Sequence, residues 1–343
     1  YPECAMARKM LLYEYGIFHT ADGKARYVAI EHLPTADILN SETPISLLSG
    51  RMRDHWHGMS RTGTVPRLFN LEDEPLLAMH PCDMRHRSLD TGDLVKVSNG
   101  RGELTVRVAE QAGLQRGRAW MPMHWGNQFM NSPGANAVVS DAVDPFSKQP
   151  ELKHAAVQIA KLDLPYPLAI IRRCPDQESA LELMQRARAA LPRFAYATLN
   201  LYGRSSPLVV FRAAMMEAIT TELLAEMDIL FGLDGEEGAI VFADASRRIA
   251  KKAISIDGRL HGIRLAGETL AQTWLKKAMA EDELDASLIR FALAPSAKPP
   301  VTMAPRNIIC KCADVSDVQI NKALAAGADF PQLQEKLKCG TFC

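Results

Sequence analysis

A chain of 343 residues has room for two or three domains, and 47% hydrophobic with 23% charged residues is the balance of ordinary folded protein. Forty basic and forty acidic residues cancel, so the sequence carries neither a basic tail for nucleic acid nor an acidic solvating block. No apolar run approaches the ~18 residues that a membrane span needs.

The chain opens Tyr1-Pro2-Glu3-Cys4, with neither an initiator Met nor the charged, apolar and small-residue pattern of a signal peptide. It reads as a piece of a longer protein, with residues 1–35 as the tail of a preceding domain. A turn at Ala21-Asp22-Gly23 separates Leu11–Phe18 from the mostly apolar stretch Tyr27–Leu33.

From about Thr43 to Leu162 short apolar runs alternate with turn residues: Ile45–Ser49, Leu94–Ser98, Leu104–Val108 and Ala119–Met123. Asn99-Gly100-Arg101-Gly102 predicts a hairpin closed by a type I′ turn, because Asn-Gly supplies positive φ angles. Thr91-Gly92-Asp93 predicts a tight turn before a strand. Many short strands with Gly and Asn turns point to a β-barrel or sandwich. Ser140–Gln149 has the polar texture of a loop that binds or covers something.

Residues 163–300 read as an α+β domain of unknown role. The expectations are a strand at Leu168–Ile171, a helix over Asp176–Leu191 closed by Pro192, and a strand at Leu208–Phe211. A long helix over Ala213–Phe231 follows, then a hairpin of Arg248–Ile256 with Arg259–Leu265 turning on Asp257-Gly258, and a helix at Trp274–Ala280. The Met and aromatic residues here sit at core spacing. Pro295–Pro305 is a Pro-rich linker.

The last segment, 307–343, has its own logic. Ser316 can cap a helix ended by Gly327, and Asp329 can cap another with Pro331 in its first turn. Leu333 and Leu337 face inward. Four of the seven cysteines, Cys310, Cys312, Cys339 and Cys343, crowd this segment, whereas a disulfide scaffold would spread them. That clustering favours metal binding in a reducing compartment, with the cytoplasm as the expected location. Zinc knuckles use Cys-x2–4-Cys, so the one-residue spacing of Cys310 and Cys312 fits iron–sulfur ligation better; zinc and inert thiols are the alternatives.

This module resembles the [2Fe-2S] domain of the bacterioferritin-associated ferredoxin family. The resemblance implies Cys310, Cys312 and Cys343 as ligands, with Cys339 an extra or makeshift one. The family's fourth ligand would fall beyond residue 343, which makes the expected cluster site a truncated one.

Ser49-Gly50-Arg51-Met52-Arg53-Asp54-His55-Trp56-His57-Gly58, continuing Met59-Ser60-Arg61-Thr62-Gly63, is dense in groups that suit phosphate. Small residues let the backbone approach, arginines fork onto oxygens, and hydroxyls and imidazoles add hydrogen bonds. A solvated polar loop is the plainer alternative. Four further blocks follow in order: His80-Pro81-Cys82-Asp83, Thr91-Gly92-Asp93-Leu94-Val95, Met121-Pro122-Met123-His124-Trp125-Gly126, and the stretch from Asp144-Pro145-Phe146 through Lys153.

Together these blocks resemble the molybdopterin dinucleotide-binding domain, in the nitrate reductase branch of the bis-molybdopterin guanine dinucleotide enzymes, over residues 36–162. The resemblance implies a six-stranded double-psi β-barrel. It implies that Ser49 through Gly58 wrap the pterin and its pyrophosphate, that Asn136 and Lys153 add contacts, and that Phe129 lies toward the substrate. Gly58 stands where the family commonly has Thr, and Ala137-Val138-Val139 follows Asn136 where the family often has Thr, which removes hydroxyl contacts. His80-Pro81 and Thr91-Gly92-Asp93 are expected to serve turns and packing, and Cys82 to be a buried thiol.

With the cysteine module the arrangement resembles bacterial assimilatory nitrate reductases. That implies reduction of nitrate to nitrite at Mo-bis(molybdopterin guanine dinucleotide), a [2Fe-2S] relay, and a ferredoxin, flavodoxin or flavoprotein as donor. The molybdenum-ligating cysteine and a [4Fe-4S] motif are expected in upstream catalytic domains, so this chain alone is expected to be inactive. Formate dehydrogenase or another bis-pterin oxidoreductase is the alternative within the class; a non-catalytic cofactor-binding or electron-transfer subunit is the alternative outside it.

Overall fold

Leu104, Val106 and Val108 are buried while Glu103, Thr105 and Arg107 between them are not, the period-two pattern of a strand with one face in a core. In the computed structural model of the chain this strand is part of a closed barrel. The structure describes residues 13, 15–29, 31–204, 206–281, 289, 291–299, 307–313 and 315–341.

Contacts divide the chain into Tyr1–Ala36 and Asp37–Cys343. Within the first unit the expected turn at residues 21–23 is present. Phe18 N–H donates to Gly23 O at 2.9 Å, and Gly23 has φ +70°.

In the second unit, β1 (Ile45–Gly50), β2 (Leu76–Met79), β3 (Leu94–Asn99), β4 (Gly102–Glu110), β5 (Arg118–Pro122) and β6 (His154–Lys161) close a six-stranded barrel in the order β1-β5-β2-β4-β3-β6. β1 runs parallel to β5 and β2 parallel to β4; the other pairs are antiparallel. Closure leaves no exposed strand edge.

The β3–β4 hairpin turns where expected, Asn99 pairing with Gly102, but neither Gly100 nor Arg101 has positive φ, so the turn is not type I′. Asn99 belongs to the strand instead. Its amide donates to Val138 O (2.8 Å) and Ala156 O (3.1 Å), and its side-chain oxygen takes Arg101 N–H. Tertiary bonds to Asn99 have overridden the local turn preference. Gly92, at φ +96°, makes the tight turn before β3. His80 caps a short helix, α1 (Pro81–His86), by accepting from Cys82 N at 3.1 Å.

A second, fully antiparallel sheet follows: β7 (Tyr166–Arg173), β8 (Tyr196–Tyr202), β9 (Leu208–Met215), β10 (Ala239–Asp244), β11 (Ile249–Ile256) and β12 (Arg259–Ala266), ordered β10-β11-β12-β7-β9-β8. Helices α2 (Gln177–Ala187), α3 (Thr221–Phe231) and α4 (Gln272–Glu281) accompany it, α2 capped by Asp176 and α3 by Thr220. The β11–β12 hairpin turns on Asp257 (φ +51°) and Gly258 (φ +74°), as Asp-Gly predicts. The expected helix from Ala213 is corrected: β9 runs through Met215, and the helix starts only at Thr221. Strand β8 was not anticipated. Every one of its residues is buried, so it lacks the alternation that marks a half-exposed strand.

Barrel and sheet share one apolar core. The barrel-side segment 129–131 lies along β8, with Leu199 N–H donating to Phe129 O (2.8 Å) and Asn131 N–H to Ala197 O (3.1 Å). A buried charge network crosses the same junction. Asp73 pairs with Arg212 of β9 and Lys276 of α4, while Glu74 accepts from Arg107 of β4 (3.0 Å) and from the Tyr196 hydroxyl. Burial opposes the Asp73 charge, but the flanking Arg212 and Lys276 outweigh it and hold its carboxyl down at about 2. Lys276 is lowered to about 8, first by burial and then by repulsion from Arg212.

The chain ends in a β-hairpin, β13 (Ile308–Cys310) with β14 (Val315–Ser316), and helices α5 (Asp317–Ala325) and α6 (Phe330–Leu337). Ser316 and Asp329 each form a full capping box, with Gln319 and Gln332 reaching back. Gly327 follows α5 at φ +83° and Leu333 is buried as expected. Among the described residues no helix is long and apolar enough to cross a membrane.

Candidate functional site

Strand β1 carries Ser49 and Gly50 out of the barrel, and residues 51–58 leave as an irregular loop. Ser49 is fixed by its hydroxyl donating to Leu152 O (2.6 Å) and its N–H to Lys153 O (3.3 Å). Gly50 is needed for packing: a Cβ there would lie 2.6 Å from Trp120 Nε1. Beyond it no regular hydrogen bonding holds the loop, so side chains do.

His124, directly after β5, is the main fastening. Its Nε2 lies 2.9 Å from Met52 N and its Nδ1 2.6 Å from His57 O. A backbone N–H can only donate and a carbonyl only accept, so the ring is neutral with its proton on Nδ1. Burial lowers the His124 pKa; the bond to His57 O pushes the other way, and the charges of Arg51, His57 and Lys153 add to the lowering. The loop is therefore pinned near both ends by one imidazole, and Arg51, His57 and Lys153, all exposed, lie within electrostatic reach of it.

His55 points inward and is 4% exposed. Thr62 Oγ1 accepts from Trp56 N at 3.2 Å, so its own proton is free for His55 Nδ1 at 3.3 Å. His55 Nε2 is buried and has no hydrogen-bond partner among the described residues. Burial first, and then His124 (ring centroids 5.9 Å apart), lowers the His55 pKa to about 4. Trp56 stands 56% exposed beside His57, which is held at φ +45°. Arg53 pairs with Asp54 (3.0 Å) and reaches Lys311 O at 3.4 Å. Gly58 faces open space.

The structure thus gathers Ser49 through His57 with Lys153. Asn136 is exposed on a 3-10 turn (Gly134–Ala137), and among the described residues no hydrogen bond ties its side chain to that loop. Phe129 is buried among Phe69 and Trp125, in the core and not on the loop surface. His124 was the residue that sequence reasoning passed over. It stands inside a quoted block, but nothing in the sequence shows that it faces a loop 70 residues away.

The loop fits a pyrophosphate-linked pterin in the exposed groups it presents: the cations Arg51 and Lys153, with the His57 imidazole beside them. The cysteine turn fits a thiolate-held metal only in part. Cys310 is buried, and its thiol is held below the ordinary range, first by the N–H of Gly340, against burial, with those of Ala313 and Cys312 and the charge of Arg204 adding. Cys312 is exposed and Cys339 half-buried. Among the described residues no group of three or more His, Cys, Asp or Glu is placed to hold a metal ion, and Cys343 lies outside them. Arg204, from the β8–β9 connection, moors this turn. It donates to Ala313 O (3.1 Å) and to Leu337 O (2.5 Å).

Residues 45–156 match the family described as molydopterin dinucleotide binding domain. A nitrate reductase of Klebsiella oxytoca is 30% identical over 338 residues, covering 94% of this chain and 35% of that protein. The chain therefore spans about a third of the length of that curated relative. Among solved structures, acetylene hydratase from Pelobacter acetylenicus overlaps with a TM-score of 0.31 at 18% identity, over 35% of this chain and 18% of that one. A Clavibacter michiganensis expansin overlaps with a TM-score of 0.21 at 11% identity, over 66% and 90%. Both overlaps are too slight to bear on fold or function. The domain match over residues 45–156, with the closed six-stranded barrel in the same segment, supports a molybdopterin cofactor bound there.

Proposed function

We propose that the chain is part of a molybdenum nitrate reductase of the assimilatory kind, in which residues 45–156 bind molybdopterin guanine dinucleotide. The observation that carries the reading is the loop from Gly50 to Gly58, fastened by His124 and faced by Arg51, His57 and Lys153, inside the segment that matches the dinucleotide-binding family. The similarity to a nitrate reductase, 30% identical over 94% of the chain, supports nitrate as the substrate.

When bound, the molybdenum group supplies removal of one oxygen from nitrate, which with two electrons and two protons gives nitrite and water. The residues of this chain bind and orient. Arg51 and Lys153, both exposed, offer positive charge and hydrogen-bond donors to the pyrophosphate. His57, exposed beside them, adds an imidazole donor. His55 packs the inner side of the loop against Phe69, with its buried Nε2 unpartnered among the described residues. Asn136 and the polar loop around Asp144 are assigned supporting contacts.

The cysteine turn is assigned a [2Fe-2S] relay, with Cys310, Cys312 and Cys343 as ligands and Cys339 at hand, fed by a ferredoxin, flavodoxin or flavoprotein. The ligating cysteine for molybdenum, a [4Fe-4S] cluster and the substrate pocket belong, in this reading, to other domains of the parent protein, in the cytoplasm.

The test is metal and pterin analysis of the full-length parent. Molybdenum with guanine dinucleotide, two irons beyond a [4Fe-4S] complement, and nitrite formation from nitrate with reduced methyl viologen are expected. Formate oxidation without nitrate reduction would replace the substrate assignment, and zinc in place of the extra iron would remove the relay. The isolated chain is expected to form no nitrite.

A further inference from the structure

The two edges of the antiparallel sheet β10-β11-β12-β7-β9-β8 differ. Along β8 lies the segment Phe129–Asn131. At the opposite edge β10 pairs with β11 alone, and among the described residues no other strand bonds to it. Ser255 N–H donates to Gly238 O at 2.9 Å, which sets the alternation of the β10–β11 ladder. Ile240 and Phe242 therefore bond back to β11, whereas Val241 and Ala243 turn their N–H and C=O groups outward. Ala239 turns its C=O outward as well, its N–H being taken by Glu236 O at 3.1 Å.

Open N–H and C=O groups invite pairing, and edge strands are commonly blunted against it by Lys, Pro or another charge. Residues 239–244 read Ala-Ile-Val-Phe-Ala-Asp, with neither Lys nor Pro. Their one charge, Asp244, is turned to the following turn, where its Oδ1 accepts from Ser246 N–H (3.1 Å), the Ser246 hydroxyl (2.6 Å) and Arg247 N–H (3.2 Å). Successive side chains of a strand point to opposite faces, and here both faces are bare: Ile240 is 38%, Val241 64% and Phe242 47% exposed. An apolar strand that is open on both faces and along one edge is built to be covered.

We infer that the occupant of this edge is β10 of a second copy of the chain, paired antiparallel about a two-fold axis at Val241. The strand complements itself in three respects. In hydrogen bonding, Val241 exchanges bonds with its own copy, and each Ala243 N–H meets an Ala239 C=O. In size, Ala239 faces Ala243 and Ile240 faces Phe242, small against small and large against large. In charge, the chain enters β10 through Asp234, Glu236 and Glu237 and leaves it through Arg247 and Arg248, all exposed and none in an ion pair among the described residues. Asp244 offsets part of the charge at the exit, which stays positive. A strand whose two ends differ in sign matches its own antiparallel copy, because the acidic entry of one lies beside the basic exit of the other. The pairing is independent of what the barrel binds.

The experiment measures the mass of the whole chain in solution by analytical ultracentrifugation over a concentration series. Four proteins are compared: the wild type, Val241→Lys, an entry variant (Glu236→Lys/Glu237→Lys) and an exit variant (Arg247→Glu/Arg248→Glu). The wild type should form a dimer. Val241→Lys sets two ammonium groups face to face across the axis and should raise the dissociation constant about tenfold or more. Entry and exit variants should each weaken the dimer, since like charges then meet. Mixed in equal amounts, the two should form a heterodimer seen by native mass spectrometry, because acid again faces base in the mixed pair. Circular dichroism shows that each variant is folded. A wild type that stays monomeric overturns the inference and leaves the edge to another part of the parent protein. A dimer of unchanged strength in Val241→Lys, or charge variants that form no heterodimer on mixing, overturns it as well, since the contact then lies elsewhere.

Discussion

His124 and Met52 are 72 positions apart in sequence, yet the imidazole Nε2 of one accepts the backbone N–H of the other at 2.9 Å while its Nδ1 donates to His57 O. One neutral ring thereby closes the base of the loop that carries Arg51, His55 and His57. His124→Ala should release both ends. Two bonds lost at a buried position predict a cost of about 1–3 kcal/mol. Hydrogen exchange at Met52 should accelerate strongly while barrel amides such as Val106 stay protected; unchanged exchange at Met52 would show that something else holds the loop.

His55 predicts a particular pH dependence. The unfolded chain takes up a proton on this imidazole near 6.5, and the folded chain only near 4. Stability should therefore fall as pH drops from 6.5 to 4 and level off below, by up to roughly 3 kcal/mol if the whole shift is realised. His55→Gln, which cannot titrate, should flatten urea midpoints across that window. If wild type and variant trace parallel curves, the buried neutral imidazole is not the cause.

Asp73 titrates in a different window, which makes the two separable. Its folded carboxyl at about 2 lies below the ordinary 3.8, so its contribution is complete above 3.8 and is lost as pH falls toward 2. Asp73→Ala leaves Arg212 and Lys276 buried without their shared counter-charge and should cost about 3–5 kcal/mol in denaturant unfolding. Double substitution with Lys276→Met should recover part of it, because one stranded charge is then removed. A variant within experimental error of wild type would place the stability of the junction elsewhere.

Arg204 tests the mooring of the cysteine module. Its planar fork reaches Ala313 O and Leu337 O from two separate nitrogens, a fixed spread that the compact ammonium of Lys lacks. Arg204→Ala and Arg204→Lys should both raise hydrogen exchange and protease cleavage across residues 307–341, with the thermal midpoint of the remainder little changed. Full protection in the Lys variant would mean that charge, and not the fork, does the holding.

Local patterns in the sequence were sufficient wherever one stretch of chain decides its own structure. Alternation marked β4, Asp257-Gly258 marked its hairpin, and Ser316 and Asp329 marked the starts of α5 and α6. The loop from Ser49 to Gly58 was legible because its chemistry is contiguous. Strand β8 was not, since a segment buried on both faces has no polar side to alternate with. The extension of β9 into residues first read as helix was set by pairing with β7 and β8 on either side. The meeting of Arg53, Arg67, Arg204, Lys311 and Lys338 around one cleft was invisible for a simpler reason: they come from five separate segments of the chain.

The junction at Asp73 and Glu74 also bears on how such a protein can be rearranged in evolution or in the laboratory. A cut after the barrel would strip Phe129–Asn131 of the strand they lie along and leave Asp73 without either of its cations. Barrel and sheet are therefore heritable only as a pair: a gene fusion that moves one without the other transfers a surface that was never meant to meet water.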